Sequence, residues 1–411
     1  MLDSHFHLHL FAKVKYRQNG RTFGLRCGED RRRHLYLLGK TGSGKTSLMK
    51  HLIASDLDAG HGLAVLDPHG DLADFALKAV PRHRINQTIF LDPADLAHPL
   101  SINILEKVAP DKRPLVASSI ISVFKKIFPD FWGPRLEHIL RHSLLALLEL
   151  PQSTLKDLPR LLLEPGFRNQ VIPRLTDPQV RYFFETEFVS YPVRFLPEVL
   201  SPILNKVGAF LSQPCLRGIL SPIRSRVNFR QVMDQEMILV ADLSKGRIGE
   251  EASSLLGAVL VTKFELAALS RVNQPEAERK DFFLYVDEFP SFVTRSFASI
   301  LAEARKYHLC LILAHQYLDQ LEEELQTALL GNVGTLILFR LGAKDAHLLA
   351  PEMAPVFMAQ DLQDLPAYHF YLKLMIDGQV SQPFSAMTLP PPVLTKDYAA
   401  TIRKVSAERW G

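Results

Sequence analysis

With 411 residues, 47% of them hydrophobic, the chain can bury a large core. That excludes disorder over most of its length and leaves room for one domain with an insertion or for two. A net charge of +4 is a mild basic bias, which permits a nucleic-acid partner without requiring one. The three cysteines, Cys27, Cys215 and Cys310, stand far apart, so they offer no Cys-x-x-Cys metal or redox pair, and so sparse a set fits a reducing, cytoplasmic setting.

The N-terminus "MLDSHFHLHLFAKVKY" lacks a basic stretch followed by an apolar one, so no signal peptide is expected. In "HFHLHL", His5, His7 and His9 alternate with Phe6, Leu8 and Leu10, the period of a strand with one wet face. No carboxylate or cysteine is placed to complete a metal site there. "EDRRRH", with Arg31, Arg32 and Arg33, reads as a surface turn. From "HLYLLG" the rhythm becomes α/β: a helix to about Asp58, the strand "GLAVLDPHGD", a helix to about Val80, then "QTIFLDP". Strands and helices in alternation predict a parallel sheet covered on both faces.

Between about residues 105 and 233 the strand signals vanish. "RPLVASSIISVFKKIF", "RLEHILRHSLLALLEL" and "PEVLSPILNKVGAFLSQ" carry apolar residues at helical spacing, with prolines breaking the segment into short helices. This predicts an all-α insertion. The α/β rhythm resumes at "EMILVADLS" and runs through the helix "EEASSLLGAVLVTKFELAAL", the strands "DFFLYVDEF", "LCLILAHQ" and "VGTLILFRLG", and the helix "AKDAHLLAPEM". From about Pro383 the tail "PFSAMTLPPPVL" predicts an extended arm with a short final helix. The longest apolar stretches, "HSLLALLEL" and "LLGAVLVTKFELAAL", are too short or too interrupted to predict a membrane span. The expected division is 1–104 for N-terminal strands and the first half of the core, 105–233 for the insertion, 234–390 for the second half of the core, and 391–411 for the C-terminal arm.

The chemistry-bearing residues sit at strand ends. "GKTGSGKT" supplies Gly39, Lys40, Thr41, Gly42, Ser43, Gly44, Lys45 and Thr46, and matches G-x-x-x-x-G-K-[ST] at every fixed position between a strand and a helix. Glycines let main-chain amides close on phosphate oxygens, and the helix N-terminus adds its positive dipole end. Lys45 is placed to reach the β- and γ-phosphates of ATP, and the Thr46 hydroxyl to hold Mg²⁺. "DFFLYVDEF" ends a buried strand on Asp287 and Glu288. Asp287 would help order the Mg²⁺ shell, and Glu288 would polarise a water aimed at the γ-phosphate. The blander account, an acidic pair capping a helix, explains neither the pairing nor the intact phosphate loop. "LILAHQ" ends on His315 and Gln316, and Gln316 is a candidate sensor of the γ-phosphate. Arg305 reads either as an exposed helix-end arginine answering the C-terminal dipole or as an arginine finger for a neighbouring subunit, and Arg340 is a second candidate for that finger.

The order "RHLYLLGKTGSGKTSL", "VLDPHGDL", "FFLYVDEF", "SILAEARKYHLCLILAHQYLDQL", "GNVGTLILFRLGAKDA" resembles the HerA/FtsK superfamily of hexameric DNA-pumping ATPases. Within it the pattern is most similar to conjugative coupling proteins of type IV secretion and their soluble HerA-like relatives, over about residues 20–390. The resemblance implies a RecA-like P-loop NTPase core with a mostly parallel sheet, an all-α insertion at the ring entrance and a small N-terminal β segment. It implies Lys45 and Thr46 as the Walker A pair, Asp287 and Glu288 as Walker B, Gln316 as the glutamine sensor and Arg305 as the arginine finger acting in trans. Coupling proteins begin with transmembrane helices; this chain shows none, which implies a motor recruited to the inner membrane by a secretion component, or one partnered with a nuclease or effector.

Three functions compete. The first is an ATP-driven DNA translocase working as a homo-oligomeric ring, a hexamer by resemblance, whose channel follows DNA phosphates through basic side chains such as Lys245, Arg247 and Arg295. The second is a secretion or assembly ATPase that moves protein. The third is a nucleotide-binding scaffold or switch, which has no need of a base such as Glu288.

Overall fold

The computed structural model describes residues 8–15, 21–26, 28–128, 132–192, 195–294 and 297–411. By internal contacts these form two compact units. The first comprises Met1–Leu91, Phe229–Ser244 and Phe264–Ser406; the second comprises Asp92–Asn228, Lys245–Lys263 and Ala407–Gly411.

The first unit is built on one eleven-stranded sheet. In chain order its strands are β1 Leu8–Val14, β2 Thr22–Arg26, β3 Leu35–Leu38, β4 Gly62–Asp67, β5 Thr88–Leu91, β6 Ile238–Asp242, β7 Phe282–Asp287, β8 Leu309–His315, β9 Thr335–Leu338 and β10 His369–Lys373. A small hairpin follows, β11 Met375–Ile376 with β12 Gln379–Val380, and then β13 Phe384–Thr388 completes the sheet. The order is β2-β1-β13-β10-β9-β3-β8-β7-β4-β6-β5, and the seven strands from β9 to β5 are all parallel. Every residue of β3, β4, β7, β8 and β9 is buried, which is why these strands read as unbroken apolar runs rather than alternating ones. The helix Lys45–Asp58 buries Leu48, Met49, Leu52, Ile53 and Leu57 in the same apolar core as Leu35, Leu63 and Ile312.

Two expectations change. The proline-rich tail is not a free arm: Phe384–Thr388 is a strand held between β10 and β1, because "FSAMT" offers five consecutive donors and acceptors before the prolines begin. The N-terminal strands join the main sheet through β13. "EDRRRH" is not a surface turn, since Arg31 is buried and its guanidinium is paired with the buried Asp56. His5 and His7 lie outside the described residues.

The second unit is helical. Arg113–Ile127, Pro134–Glu149, Asp157–Leu163, Phe195–Ser212 and Pro214–Leu220 are its main helices among the described residues, and Leu140, Leu144, Leu147, Leu158 and Phe210 are buried in it. Its prolines begin helices as much as they end them: Pro134, Pro165, Pro178 and Pro214 each stand in a first turn, where the missing N–H costs nothing. The unit starts at Asp92, ahead of the expected 105, and includes Lys245–Lys263, which holds the short helix Lys245–Ile248 and the first part of the helix Glu250–Ser270; residues 391–406 fall in the first unit instead. The stretch Glu250–Asn273 is, contrary to expectation, long and apolar enough to cross a membrane by length and composition. Its most apolar 18-residue window is 72% buried inside the protein, as in a core helix.

Candidate functional site

In a parallel sheet, ligands bind beyond the carboxyl ends of the strands, and that edge is where the predicted residues collect. The loop of residues 39–44 joins β3 to the helix Lys45–Asp58. Its first amide, of Gly39, donates to the His315 carbonyl at 3.3 Å, and that of Lys40 donates to the Arg340 carbonyl at 3.0 Å. The amides of Thr41, Gly42 and Gly44 have no protein partner among the described residues. Two glycines are dictated by packing: a Cβ on Gly39 would come within 2.5 Å of the Phe339 Cβ, and Gly44, at φ +118°, has Tyr368 within 3.0 Å of where its Cβ would stand. Phe339 and Tyr368 thus form a wall behind the loop. Tyr368 is itself in the left-handed region, at φ 65°, and donates its amide to the Ser43 carbonyl at 2.7 Å.

Lys45 bends back over the loop, its Nζ 2.5 Å from the Gly39 carbonyl and 3.3 Å from that of Lys40. Burial lowers its pKa, and Glu288 and Asp287 oppose that shift. The Ser43 hydroxyl is buried without a partner. Free loop amides, a lysine with only carbonyls to bond and an orphaned hydroxyl form a donor set that fits a polyphosphate.

Asp287 ends β7 beside Asp67, which ends the adjacent strand β4. Asp67 spends both oxygens on main-chain amides, those of His69 at 2.8 Å, Leu72 at 2.7 Å and Ala73 at 2.9 Å, and so caps the helix Asp71–Ala79. Asp287 is 5% exposed. Burial, then the charges of Asp67 and Glu288, push its pKa up to about 7, against the pull of Lys45. Buried carboxylate charge in excess of nearby positive charge fits a divalent cation. Asp287 and Thr46, in the first turn after the loop, are the residues that would hold Mg²⁺.

Glu288 follows at φ 46°, a strained conformation for a residue with a side chain. Its Oε1 accepts from the Gln316 Nε2 at 2.7 Å. The Gln316 Oε1 accepts from the Thr41 hydroxyl at 2.8 Å. Beneath them His315 is fully buried. The Gln320 Oε1 faces its Nδ1 at 3.1 Å, so Nδ1 carries the proton and Nε2 accepts from the Tyr36 hydroxyl at 2.6 Å. Burial lowers the His315 pKa to about 3, so the ring is neutral.

The two candidate fingers lie on opposite edges. Arg305 is exposed in the turn Ala304–Tyr307, before β8, at the amino edge; the seven-residue β8 sets it roughly 20 Å from the cradle of its own chain. Arg340 is exposed beyond the carboxyl end of β9, beside the loop. Lys245 pairs with Glu250 at 3.1 Å and Arg247 with Asp92 at 2.9 Å, both within the helical unit. Arg295 lies outside the described residues.

Sequence reasoning did not single out Asp67, the Phe339 and Tyr368 wall, or the Tyr36–His315–Gln320 chain. Asp67 had a usable signal, an aspartate ending a wholly apolar run just as Asp287 does.

Residues 18–141 match the family described as the helicase HerA central domain. No curated protein matches the chain. Among solved structures, the bacterial conjugative coupling protein TrwBdeltaN70 aligns with a TM-score of 0.65 at 17% identity, covering 90% of this chain and 87% of that one. The plasmid coupling protein TrwB in complex with ADP and Mg²⁺ aligns with a TM-score of 0.63 at 16% identity, covering 91% and 89%. VirB4 of Thermoanaerobacter pseudethanolicus aligns with a TM-score of 0.55 at 13% identity, covering 95% and 97%. At these identities the likeness is one of fold, a RecA-like NTPase core carrying added helices.

Proposed function

We propose, from the match of residues 18–141 to the HerA helicase central-domain family, that the protein is an ATP-hydrolysing DNA translocase that works as a ring, a hexamer by analogy, in the transfer or processing of DNA. The observation that carries the hydrolytic part is Glu288, a second carboxylate beside Asp287, tied to Gln316 over the phosphate loop. In this reading the loop amides and Lys45 bind the phosphates. Thr46 and Asp287 would hold Mg²⁺, which would supply positive charge to the transferring phosphoryl group. The Glu288 carboxylate takes a proton from water as the water oxygen bonds to the γ-phosphorus and the bond to the β,γ-bridging oxygen breaks, giving ADP and phosphate. Glu288 argues against a pure switch or scaffold, which needs no base.

Arg305, set on the edge away from its own cradle, favours donation to a neighbour's site, and hence a ring. The fold shared with a conjugative coupling protein supports DNA as the cargo. We assign Lys245 and Arg247 to the DNA path, where a DNA phosphate would compete with Glu250 and Asp92 for them. We assign the protein to the cytoplasm, recruited to the inner membrane by a secretion component or paired with a nuclease or effector. Particle mass and ATPase rate, each with and without nucleotide and DNA, test the proposal. A nucleotide-dependent hexamer whose turnover rises on DNA is expected. Turnover indifferent to DNA would overturn translocation of DNA in favour of a protein cargo.

A further inference from the structure

The phosphate loop is joined to the candidate base by two hydrogen bonds in series. Thr41 donates to the Gln316 Oε1 at 2.8 Å, and the Gln316 Nε2 donates to the Glu288 Oε1 at 2.7 Å, linking residues that are 275 and 28 positions apart. The direction of the chain is fixed by chemistry. An ionised Glu288 can only accept, so the amide of Gln316 must turn its NH₂ toward it. That leaves the carbonyl oxygen facing Thr41, whose hydroxyl then has to donate. The main chain around Gln316 is fixed as well, since the Gln320 Oε1 faces the amides of both Gln316 and Tyr317 at 3.4 Å and the His315 Nδ1 at 3.1 Å.

From this geometry we propose that Thr41 is a positioning residue. It sets the rotation of the Gln316 amide and, through it, the oxygen of Glu288 that must face the attacking water. Thr41 is exposed at the tip of the loop that embraces the phosphates, so a shift of that loop on binding nucleotide is passed directly to the base. Without the hydroxyl, the Gln316 amide is held at one end only: its NH₂ still faces the Glu288 carboxylate, but the amide plane can swing about that bond and carry the carboxylate with it. The role concerns catalysis rather than binding, because the phosphate contacts of the loop are main-chain amides that a side-chain change leaves in place. The inference rests on the hydrolytic reading above.

The test compares Thr41→Val, which keeps the shape and loses the hydroxyl, with Thr41→Ser, which keeps the donor. Each is made in the wild-type and the Gln316→Ala background. Thr41→Val should lower kcat by about three- to tenfold, the worth of one hydrogen bond. The dissociation constant of a fluorescent ATP analogue, measured in EDTA, should stay unchanged, and Thr41→Ser should restore kcat. In the Gln316→Ala background Thr41→Val should have no further effect, because the residue through which it acts is gone. A loss of affinity as large as the loss of kcat, or additive losses in the double variant, would overturn the positioning role. If the wild type turns over no ATP at all while binding the analogue, the hydrolytic reading itself falls, and this inference with it.

Discussion

The two edges of the parallel sheet treat their charges in opposite ways. On the amino edge the charges are matched. Asp281 accepts from Arg32 at 2.7 Å and lies 3.1 Å from the His308 Nδ1; burial works to raise its carboxyl, yet those hydrogen bonds hold it below its ordinary value. The fully buried Arg271 reaches Asp234 and the carbonyls of Lys280 and Tyr307, each at 2.9 Å. Nearby, Arg31 forms a two-pronged pair with Asp56 and lies over the Phe283 ring at 3.9 Å. On the carboxyl edge the charges are left in conflict: Asp287 is raised by burial, Asp67 and Glu288, and Lys45 turns to carbonyls of its own loop. Matched charge holds a fold together; unmatched charge marks the place where a ligand is to complete the balance.

Exposed Arg305 departs from the matched pattern of its own edge, and the largest expected effect tests it. Arg305→Ala should cut ATP turnover by on the order of 10³-fold while nucleotide binding persists. Excess Lys45→Ala subunits, which keep Arg305 but lack a working cradle, should restore activity on mixing. If rescue is seen instead with Arg340→Ala, the finger comes from the carboxyl edge and the contrast between edges is broken. Next, Glu288→Gln should lower kcat by roughly 10²–10⁴-fold, with the affinity for ATP held, since Asp287 and Lys45 remain. Wild-type turnover in that variant would remove the base from the carboxyl edge. On the matched edge the expected effect is on stability. Arg31→Met leaves Asp56 buried without its guanidinium and should cost about 3–5 kcal/mol in urea unfolding, whereas Arg31→Met with Asp56→Leu should cost less.

The smallest effect is a slope. Glu265, buried with Glu303 as its neighbouring charge, has its pKa raised to about 8, by burial first and by Glu303 second. Its folded pKa lies above the unfolded value, so the native state holds the extra proton. The stability it contributes is present below pH about 4.5 and is lost as the pH rises through about 8. Glu265→Gln should therefore raise Tm at pH 8 and leave it nearly unchanged at pH 4.5; equal shifts at both would show that the carboxyl does not titrate in this way.

Much of this was legible in the sequence because chemistry-bearing residues end uniformly apolar runs. Asp287, Glu288 and Gln316 sit where buried strands stop, Lys45 follows the loop after another, and period and composition find such points. The side on which each arginine falls was also within reach: Arg305 precedes a parallel strand and Arg340 follows one, so they must lie at opposite edges. Pairings across long separations were not legible. Nothing local in "GKTG" points to Gln316, and nothing in "VLDPHGD" says that Asp67 will neighbour Asp287, because strand order is decided by the whole core. The strand "FSAMT" was hidden by the prolines beside it, whose composition suggests an arm although its own residues pair well.

The position of β3 has a consequence for how the protein is made. Both of its neighbours, β8 and β9, and the wall of Phe339 and Tyr368 behind its loop come from the last third of the chain. On the ribosome the phosphate loop therefore emerges early, on an apolar strand with two unpaired edges, and waits on the order of tens of seconds for the partners that give it shape. Nucleotide binding cannot serve as an early checkpoint of folding. It reports instead that synthesis has passed Tyr368, and until then the nascent chain depends on whatever shields an unpaired strand from its neighbours on the same message.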